Sequence, residues 1–311
     1  MKPDQPSFLL AHLSDPHLPL TPGVTPRDFL GKRTLSYLSW HLNRRHRHRR
    51  ETLDALTADL AQQGPDHIAV TGDLTNLGLE TEYLQAHAWL DDLGEPENVS
   101  VIPGNHEAMV KGAWERGGAH WRPFWQGDSP ARNQAHAFPY LRVRGQVALM
   151  GLSTAIASRP GLAVGALGEA QLARLAPLLA RAREAGLCRV LMIHHPPLAG
   201  TVPARKALLD APALQGVLAR EGAELLLHGH SHRSHLQEID TADGAAPVIG
   251  VPSASSMHHE PAAYNLYRIA TRPEGWALSV KTRRLSAARQ IEALQGFETV
   301  IARSHAGGNA P

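Results

Sequence analysis

Short apolar runs alternate with longer amphipathic segments along most of the chain. Five of the apolar runs have the length of buried strands: 8–13, 67–71, 99–102, 189–193 and 224–227. Leucines recur at helical spacing in the segments between them, as in 51–63, 79–93, 169–184 and 206–220. Strands that alternate with helices, followed by several late strand-like runs, predict a single α/β domain over residues 1–303 with two packed sheets.

Two segments depart from this pattern. Residues 29–50 are apolar and then strongly basic, and they are predicted to form an inserted helix. Residues 109–137 are rich in tryptophan, glycine and proline with weak periodicity, which indicates an irregular, cap-like region. We expect the inserted helix and the tryptophans between Trp114 and Trp125 to shape a pocket mouth. The glycine-containing tail, 304–311, is expected to be disordered.

Composition narrows the class of protein. The chain has 311 residues, 43% of them hydrophobic, and a net charge of +2 that gives no general case for nucleic-acid binding. A single cysteine, Cys188, excludes an intramolecular disulfide and a cysteine-rich zinc site. No apolar run reaches the length of a membrane span, and the N-terminus lacks the pattern of a signal peptide. A cytoplasmic enzyme or binding protein is therefore expected.

Residue types that commonly bind metal ions follow all five apolar runs. The clusters are Asp15-x-His17, Gly72-Asp73, Gly104-Asn105-His106, His194, and Gly229-His230-x-His232. A single cluster of this kind is usually a solvated loop, and a single histidine at a strand end is usually a hydrogen-bonded core residue. The carboxyl ends of parallel strands meet at one edge of a sheet, so five clusters together predict one shared site.

The donor atoms of these clusters indicate the chemistry. Apart from the imidazole of His106, they comprise two carboxylates, one amide oxygen and four imidazoles, in a chain that is unusually rich in histidine, with 19 in all. Such a set suits zinc, iron or manganese better than calcium or magnesium. Seven donors are more than one tetrahedral ion can bind, but they are enough for two ions that share a carboxylate. Two ions about 3.5–4 Å apart form the usual clamp for displacement at phosphorus.

The order of these motifs resembles that of the calcineurin-like metallophosphoesterase superfamily. The resemblance runs from Asp15 to His232 and implies a four-layer αββα sandwich of two mixed sheets flanked by helices. Within the superfamily, His194-His195-Pro196-Pro197 and Gly229-His230-Ser231-His232 are similar to the bacterial class III phosphodiesterases that act on cyclic nucleotides and glycerophosphodiesters.

The resemblance also implies a role for each motif residue. One ion would be held by Asp15, His17 and His232, the other by Asn105, His194 and His230, and Asp73 would bridge them. His106 would contact the phosphate and protonate the leaving oxygen as the catalytic acid. The family usually has aspartate after this histidine, whereas this chain has Glu107, whose carboxylate is expected to orient the imidazole.

Several neighbouring residues have less defined roles. Four are candidates for the substrate pocket: Asn76, His195, His258 and His259. His195 is expected either to stand behind the metal ligands or to line the pocket. Three other histidines lie within strands or before a motif and are interpreted as packing residues: His12, His67 and His228.

The resemblance implies a dimetal phosphodiesterase in which a metal-bound hydroxide attacks a small phosphorylated substrate. A phosphomonoesterase, or a hydrolase of phospholipid or nucleotide-sugar headgroups at an anionic membrane surface, is the alternative. A non-catalytic binding scaffold is less consistent with the sequence, because all seven ligand positions are filled.

The basic run 44–50 leaves several interpretations open. It is either a solvated helix end, an anionic docking surface that steers phosphorylated substrates, or, together with Trp40, a contact with anionic lipid. The inserted helix could also form a homodimer contact.

Overall fold

The structure is a computed structural model that describes residues 7–20, 32–44, 47–129, 137–258 and 260–302. The predicted tail 304–311 lies outside the described residues, as do parts of both unusual segments. The described strands are β1 Ser7–Leu13, β2 His67–Val70, β3 Val99–Val101, β4 Tyr140–Arg144, β5 Val147–Gly151, β6 Cys188–Ile193, β7 Leu225–His228, β8 His235–Thr241, β9 Gly244–Gly250, β10 Ala263–Arg272, β11 Gly275–Leu285, β12 Ile291–Ala293 and β13 Phe297–Ala302.

The helices lie mainly between these strands. They are α1 Lys32–Ser39, α2 Arg50–Gln62, α3 Glu80–Leu93, α4 Ala113–Gly117, α5 Arg122–Trp125, α6 Glu169–Glu184 and α7 Ala211–Glu221. A π-helical turn, Trp40–Arg44, extends α1, and short 3₁₀ turns occur at Gly118–Trp121 and Ala204–Lys206. Within the described ranges, no helix is both long and apolar enough to cross a membrane.

The first sheet has the strand order β12-β11-β10-β1-β2-β3, with β13 also paired to β11. Strands β1, β2 and β3 are parallel: Leu10 pairs with His67, and Ile68 pairs with Val99. The late strand β10 is antiparallel to β1. Three predicted metal-binding clusters therefore leave this sheet at the same edge.

The second sheet has the order β4-β5-β6-β7-β9-β8. Its strands β5, β6, β7 and β9 are parallel, while β4 forms an antiparallel hairpin with β5. His194 follows β6, and the Gly229 motif follows β7. The carboxyl ends of these two strands bring the remaining predicted ligands to the site.

The faces of β5 show how the layers pack. Val147 and Leu149 lie in the core cluster that also contains Leu10 of the first sheet. Ala148 and Met150 point to the opposite face, where a second apolar cluster includes leucines of α6 and α7. This period-2 alternation places apolar side chains on both sides of the strand. The predicted fold, two mixed sheets flanked by helices, is confirmed.

The tryptophan-rich segment is packed differently from the prediction. Trp121 is fully buried and donates from Nε1 to the carbonyl of Tyr83 at 2.8 Å. Trp125 is buried and donates to the carbonyl of Gly118 at 2.7 Å. The described part of the segment thus fills the core with aromatic rings, and residues 114–125 do not line the cavity at the predicted site.

Candidate metal centre

The backbone at the predicted ligands has an unusual conformation. Five of the six non-glycine residues with positive φ in the described chain are predicted ligands, with φ between 39° and 66°: Asp15, His17, Asp73, His230 and His232. This left-handed region is disfavoured for residues with a Cβ, and such strain concentrates at functional sites. The strand ends therefore turn sharply at the residues that the motifs single out.

Two motif glycines allow the loops to approach one another. A Cβ at Gly72 would lie 2.6 Å from the amide nitrogen of Gly104 and 2.9 Å from Nδ1 of His194. A Cβ at Gly104 would lie 2.7 Å from Cε1 of the same imidazole. Since real side chains do not approach so closely, these loops pack at distances that only glycine permits.

The two aspartates are oriented in the same way. One oxygen of each accepts a backbone N–H: Oδ2 of Asp15 from His230 at 2.9 Å, and Oδ1 of Asp73 from His106 at 2.8 Å. The other oxygen of each faces imidazoles. Oδ1 of Asp15 lies 3.1 Å from Nε2 of His232. The amide hydrogen bonds therefore fix which oxygen is presented to the site.

Asp73 lies between the two predicted metal positions. Its Oδ2 is 3.3 Å from Nε2 of His194 on one side and 3.9 Å from Nε2 of His17 on the other. On the first side, Asp73, His194 and His230 form a group of ligand atoms within 4.8 Å of one another. On the other side, Nε2 of His17 lies 3.3 Å from Nε2 of His232. The structure thus brings the predicted ligands together, while their ligand roles stay predictions.

Buried polar atoms at this edge fit metal ions. In the described part of the chain, Oδ1 of Asp15, Oδ1 of Asn105 and Nε2 of His194 are buried and make no well-aligned hydrogen bond, although an imidazole lies 3.1 Å from the first and a carboxylate 3.3 Å from the last. Leaving buried polar atoms without hydrogen bonds is costly, and such atoms in a native site call for a ligand. A carboxylate, an amide oxygen and an imidazole are donors that zinc, iron and manganese accept, so the residues fit the metals that the family implies.

Burial and charge favour the ligating forms of His17, His230 and Asp73, whereas His194 must lose a proton to bind a metal ion. Burial holds the pKa of His17 and of His230 well below 6.5, so both imidazoles are neutral near pH 7. Burial opposes the charge of Asp73, but the imidazoles of His194 and His106 hold its pKa well below 3.8. Burial also disfavours the cation of His194, yet Asp73 and Asp15 raise its pKa to about 9. The same negative charges would attract a metal cation.

His106 is held by a carbonyl group. Its Nδ1 donates to the backbone oxygen of Asn76 at 2.6 Å, and its Nε2 lies 3.9 Å from Oδ2 of Asp73. The expectation that Glu107 orients this imidazole is wrong. The carboxylate of Glu107 instead accepts the backbone N–H groups of Asp73, Thr75 and Gly104 at 2.7–2.9 Å. Glu107 therefore ties two motif loops together.

The three described substrate candidates do not line the cavity at the candidate ligands. The side chain of Asn76 donates to the carbonyl of Leu18, so only its backbone reaches His106. His195 stands behind the ligands, its ring centroid 4.3 Å from that of His230 and 5.1 Å from that of His194. His258 is exposed and lines a different cavity.

His259 lies outside the described residues. The histidines interpreted as packing residues are all buried: His12, His67 and His228. Of these, His12 bonds Thr71 at 2.9 Å and His67 bonds Ser100 at 2.7 Å through side-chain atoms.

A cavity of about 330 Å³ opens over the candidate ligands. Besides five of them and His106, it is lined by cationic side chains that motif reasoning missed: Lys32, Arg205 and Lys206. Lys32 and Ser36 belong to α1, so the inserted segment does border the site. Nζ of Lys32 donates to Oγ of Ser158 at 2.7 Å, and burial lowers its pKa. The composition of the segment predicted a basic surface, but nothing in the local sequence indicated that Lys32 would lie beside the candidate metal ligands.

A second residue missed by motif reasoning is His48. The rings of His48 and His17 are 4.5 Å apart, and the ligand atoms of His17, His48 and His232 lie within 4.8 Å of one another. His48 is embedded in the basic run and follows no strand, so the strand-end pattern that identifies the predicted ligands does not include it.

The sandwich fold and the cluster of imidazoles and carboxylates at its edge define a class, the metal-dependent hydrolases of phosphoesters. Residues 8–234, well over half of the chain, match the family model of the calcineurin-like phosphoesterases. The chain belongs to that family. The resemblance derived from the motifs is confirmed.

Relatives agree with this assignment. A probable cyclic nucleotide phosphodiesterase from Synechococcus sp. is 26% identical over 219 residues, which cover 67% of this chain and 72% of the relative. A dimetal phosphatase from Danio rerio shares the fold with a TM-score of 0.58 at 15% identity, over 96% of this chain and 99% of that one. A purple acid phosphatase from yellow lupin (Lupinus luteus) seeds shares the fold with a TM-score of 0.61 at 14% identity, over 96% of this chain and 54% of that one.

Proposed function

We propose that this protein is a dimetal phosphodiesterase acting on cyclic nucleotides or glycerophosphodiesters. The observation that carries the dimetal part is the position of Asp73, whose Oδ2 lies within 4 Å of imidazoles from both predicted ligand sets. The similarity to the probable cyclic nucleotide phosphodiesterase from Synechococcus supports the phosphodiester part. Manganese, iron or zinc would fill the site, and the single cysteine supports a cytoplasmic location.

Two bound metal ions would screen the phosphate oxygens and lower the pKa of a bound water towards neutrality. The protein supplies orientation and a proton. Because the carbonyl of Asn76 can only accept, Nδ1 of His106 carries a proton. With Nε2 also protonated, the ring would present Nε2–H to a phosphate oxygen and pass that proton to the leaving alkoxide. General acids of this kind contribute about 10²–10⁴-fold to the rate.

A phosphomonoesterase is the second candidate, and the cations of the cavity favour it. Lys32, Arg205 and Lys206 line the same cavity as His106. A terminal phosphate carries more negative charge than a diester, so it would gain more from these side chains. The ratio of diester to monoester turnover decides between the two candidates.

The test is a substrate panel with the manganese-, iron- and zinc-loaded enzyme. We expect kcat/KM for cyclic AMP, glycerophosphocholine or an aryl phosphodiester to exceed that for the aryl phosphomonoester at least tenfold. His106→Ala should lower kcat by about 10²–10⁴-fold. A preference for the monoester would replace the main proposal with the second. Diester turnover by Asp73→Asn equal to that of the wild type would refute both.

The number of metal ions bound by two aspartate variants tests whether Asp73 bridges the two metal positions. Asp73→Asn should lower the occupancy of both metal positions, because its Oδ2 faces both ligand sets. Asp15→Asn should weaken mainly one, because its Oδ1 faces His232. Equal stoichiometries in the two variants would contradict the bridging role of Asp73.

A further inference from the structure

We propose that His48, contributed by the inserted segment, is an eighth protein ligand and binds the metal ion held by His17 and His232. This inference rests on the proposal that the site binds metal ions, but it does not depend on which phosphoester is hydrolysed. None of the five strand-end motifs contains His48.

Three imidazoles converge at this side of the site. The centroid of the His48 ring lies 4.5 Å from that of His17 and 5.6 Å from that of His232, both in edge-on orientation. The rings of His17 and His232 are 5.2 Å apart. One ligand nitrogen from each of the three lies within 4.8 Å of the others, which is close enough for one ion to bind all three.

A hydrogen bond orients the His48 ring. Nδ1 lies 2.8 Å from Oγ of Ser255 and 3.5 Å from Oγ of Ser253. Oγ of Ser253 in turn donates to the carbonyl of Asp15 at 2.7 Å, so this serine loop contacts a predicted ligand directly. Metal-bound histidines usually engage the second ring nitrogen in such a hydrogen bond, which fixes the ring. Nε2 of His48 is then the nitrogen that binds the ion.

The backbone explains why His48 turns towards the candidate ligands. The amide of Arg49 donates to the carbonyl of Ser255 at 3.0 Å, and His48 forms an isolated antiparallel bridge with Ser256. Arg49 has extended backbone, with φ −119° and ψ 130°. Neighbouring side chains of an extended chain point to opposite faces. Arg47 and Arg49 accordingly line a separate cavity, while His48 faces His17.

The extra ligand would make the two metal positions chemically different. With His48, the first ion would have three imidazole donors, whereas the second would have two, from His194 and His230, and the amide oxygen of Asn105. Imidazole suits zinc and iron, while oxygen donors suit manganese. The first position is therefore expected to select zinc or iron more strongly than the second.

The test is titration of metal-free wild type, His48→Ala and His87→Ala with Co²⁺, followed by visible absorption and calorimetry. His87, a partly exposed histidine whose Nδ1 lies 3.8 Å from Oδ1 of Asp91 in α3, is the matched control. We expect two ions per chain in the wild type and the control. In His48→Ala, one ion should bind at least about tenfold more weakly, with a changed absorption spectrum. The other ion should bind as in the wild type.

Ser255→Ala is the second variant, because it keeps the His48 ring and removes only its hydroxyl partner. It should weaken the same ion by about tenfold, within the range for such supporting groups. Circular dichroism checks that both variants fold. Wild-type affinity for both ions and an unchanged spectrum in His48→Ala would overturn the inference, as would failure of the wild type to bind two ions. Tight metal binding without phosphodiester turnover would refute the proposed function and leave this inference supported.

Discussion

Gly104→Ala is the sharpest test of how tightly the motif loops pack. An added Cβ would lie 2.7 Å from the backbone nitrogen of Asp73 and 2.7 Å from Cε1 of His194, and closer still to Oδ1 of Asp73. The φ of Gly104 lies outside the left-handed range, so the methyl group itself, and not backbone strain, is the perturbation. The substitution therefore adds one carbon between two predicted ligands.

The magnitude follows from these distances. To reach about 3.2 Å, the two atoms at 2.7 Å must move by about 0.5 Å, and the Asp73 carboxylate must move further. One of these atoms belongs to the backbone, so a side-chain rotation cannot relieve the contact. Overpacking of this kind costs about 1–3 kcal/mol of stability. A displacement of catalytic groups by about 1 Å costs about 10²-fold in turnover.

The assay pairs this variant with Gly216→Ala on the helix α7. There the added Cβ would meet only Nη1 of Arg220, at 3.7 Å, an ordinary contact. Alanine should stabilise that helix by about 0.5–1 kcal/mol. Urea unfolding of the metal-free proteins gives the two stabilities, and Co²⁺ titration gives the affinities. Wild-type stability and metal affinity in Gly104→Ala would refute the claim that the loops need glycine at this position.

Three further predictions concern groups outside the metal ligands. Glu107→Gln turns an amide NH₂ towards backbone N–H donors of the motif loops, so we expect about tenfold weaker metal binding, measured by calorimetry. Unchanged metal affinity would contradict the role of Glu107 in holding the two loops together. Burial disfavours the charge of Asp59, but hydrogen bonds from Arg283 hold its pKa below 3.8. The ionised Asp59 carboxylate therefore stabilises the folded chain above about pH 4, and this stabilisation is lost in acid. Asp59→Asn should therefore lower the free energy of unfolding at pH 7 but not at pH 2, as measured by urea unfolding, and an equal loss at both pH values would contradict it. The double substitution Arg47→Ser and Arg49→Ser should weaken binding to phosphatidylserine vesicles by about 2 kcal/mol, or roughly 30-fold, as measured by co-sedimentation. Equal sedimentation of the variant and the wild type would exclude lipid contact through these side chains.

The main site was predictable because its signal is local. Each strand is a short apolar run, and each ends at a glycine, aspartate or histidine within a few residues. Parallel pairing then brings these ends to one edge without further information, as the register of β1, β2 and β3 shows. Chain order and ligand type together were enough to identify the family.

Other features depend on contacts that are distant in sequence. His48 reaches His17 only because the segment before α2 pairs with Ser255, about 200 positions later in the chain. The buried tryptophan Trp121 could not be distinguished from a pocket wall by composition, since aromatic residues are common in both. Sequence adjacency was also misleading: Glu107 follows His106, but its carboxylate accepts hydrogen bonds from the amides of Asp73 and Thr75 in the other loop.

The distribution of the candidate ligands over two sheets has an energetic consequence. Asp15, Asp73 and Asn105 follow strands of the first sheet, while His194 and His230 follow strands of the second. Among the described strands none pairs across the two sheets, which are joined by the apolar core between them and by an isolated bridge between Ser14 and Ser253. Metal ions bound across this junction would link the two sheets directly. Ions that bind the folded chain more tightly than the unfolded chain stabilise it, so metal loading should raise the melting temperature of the whole domain and slow separation of the sheets.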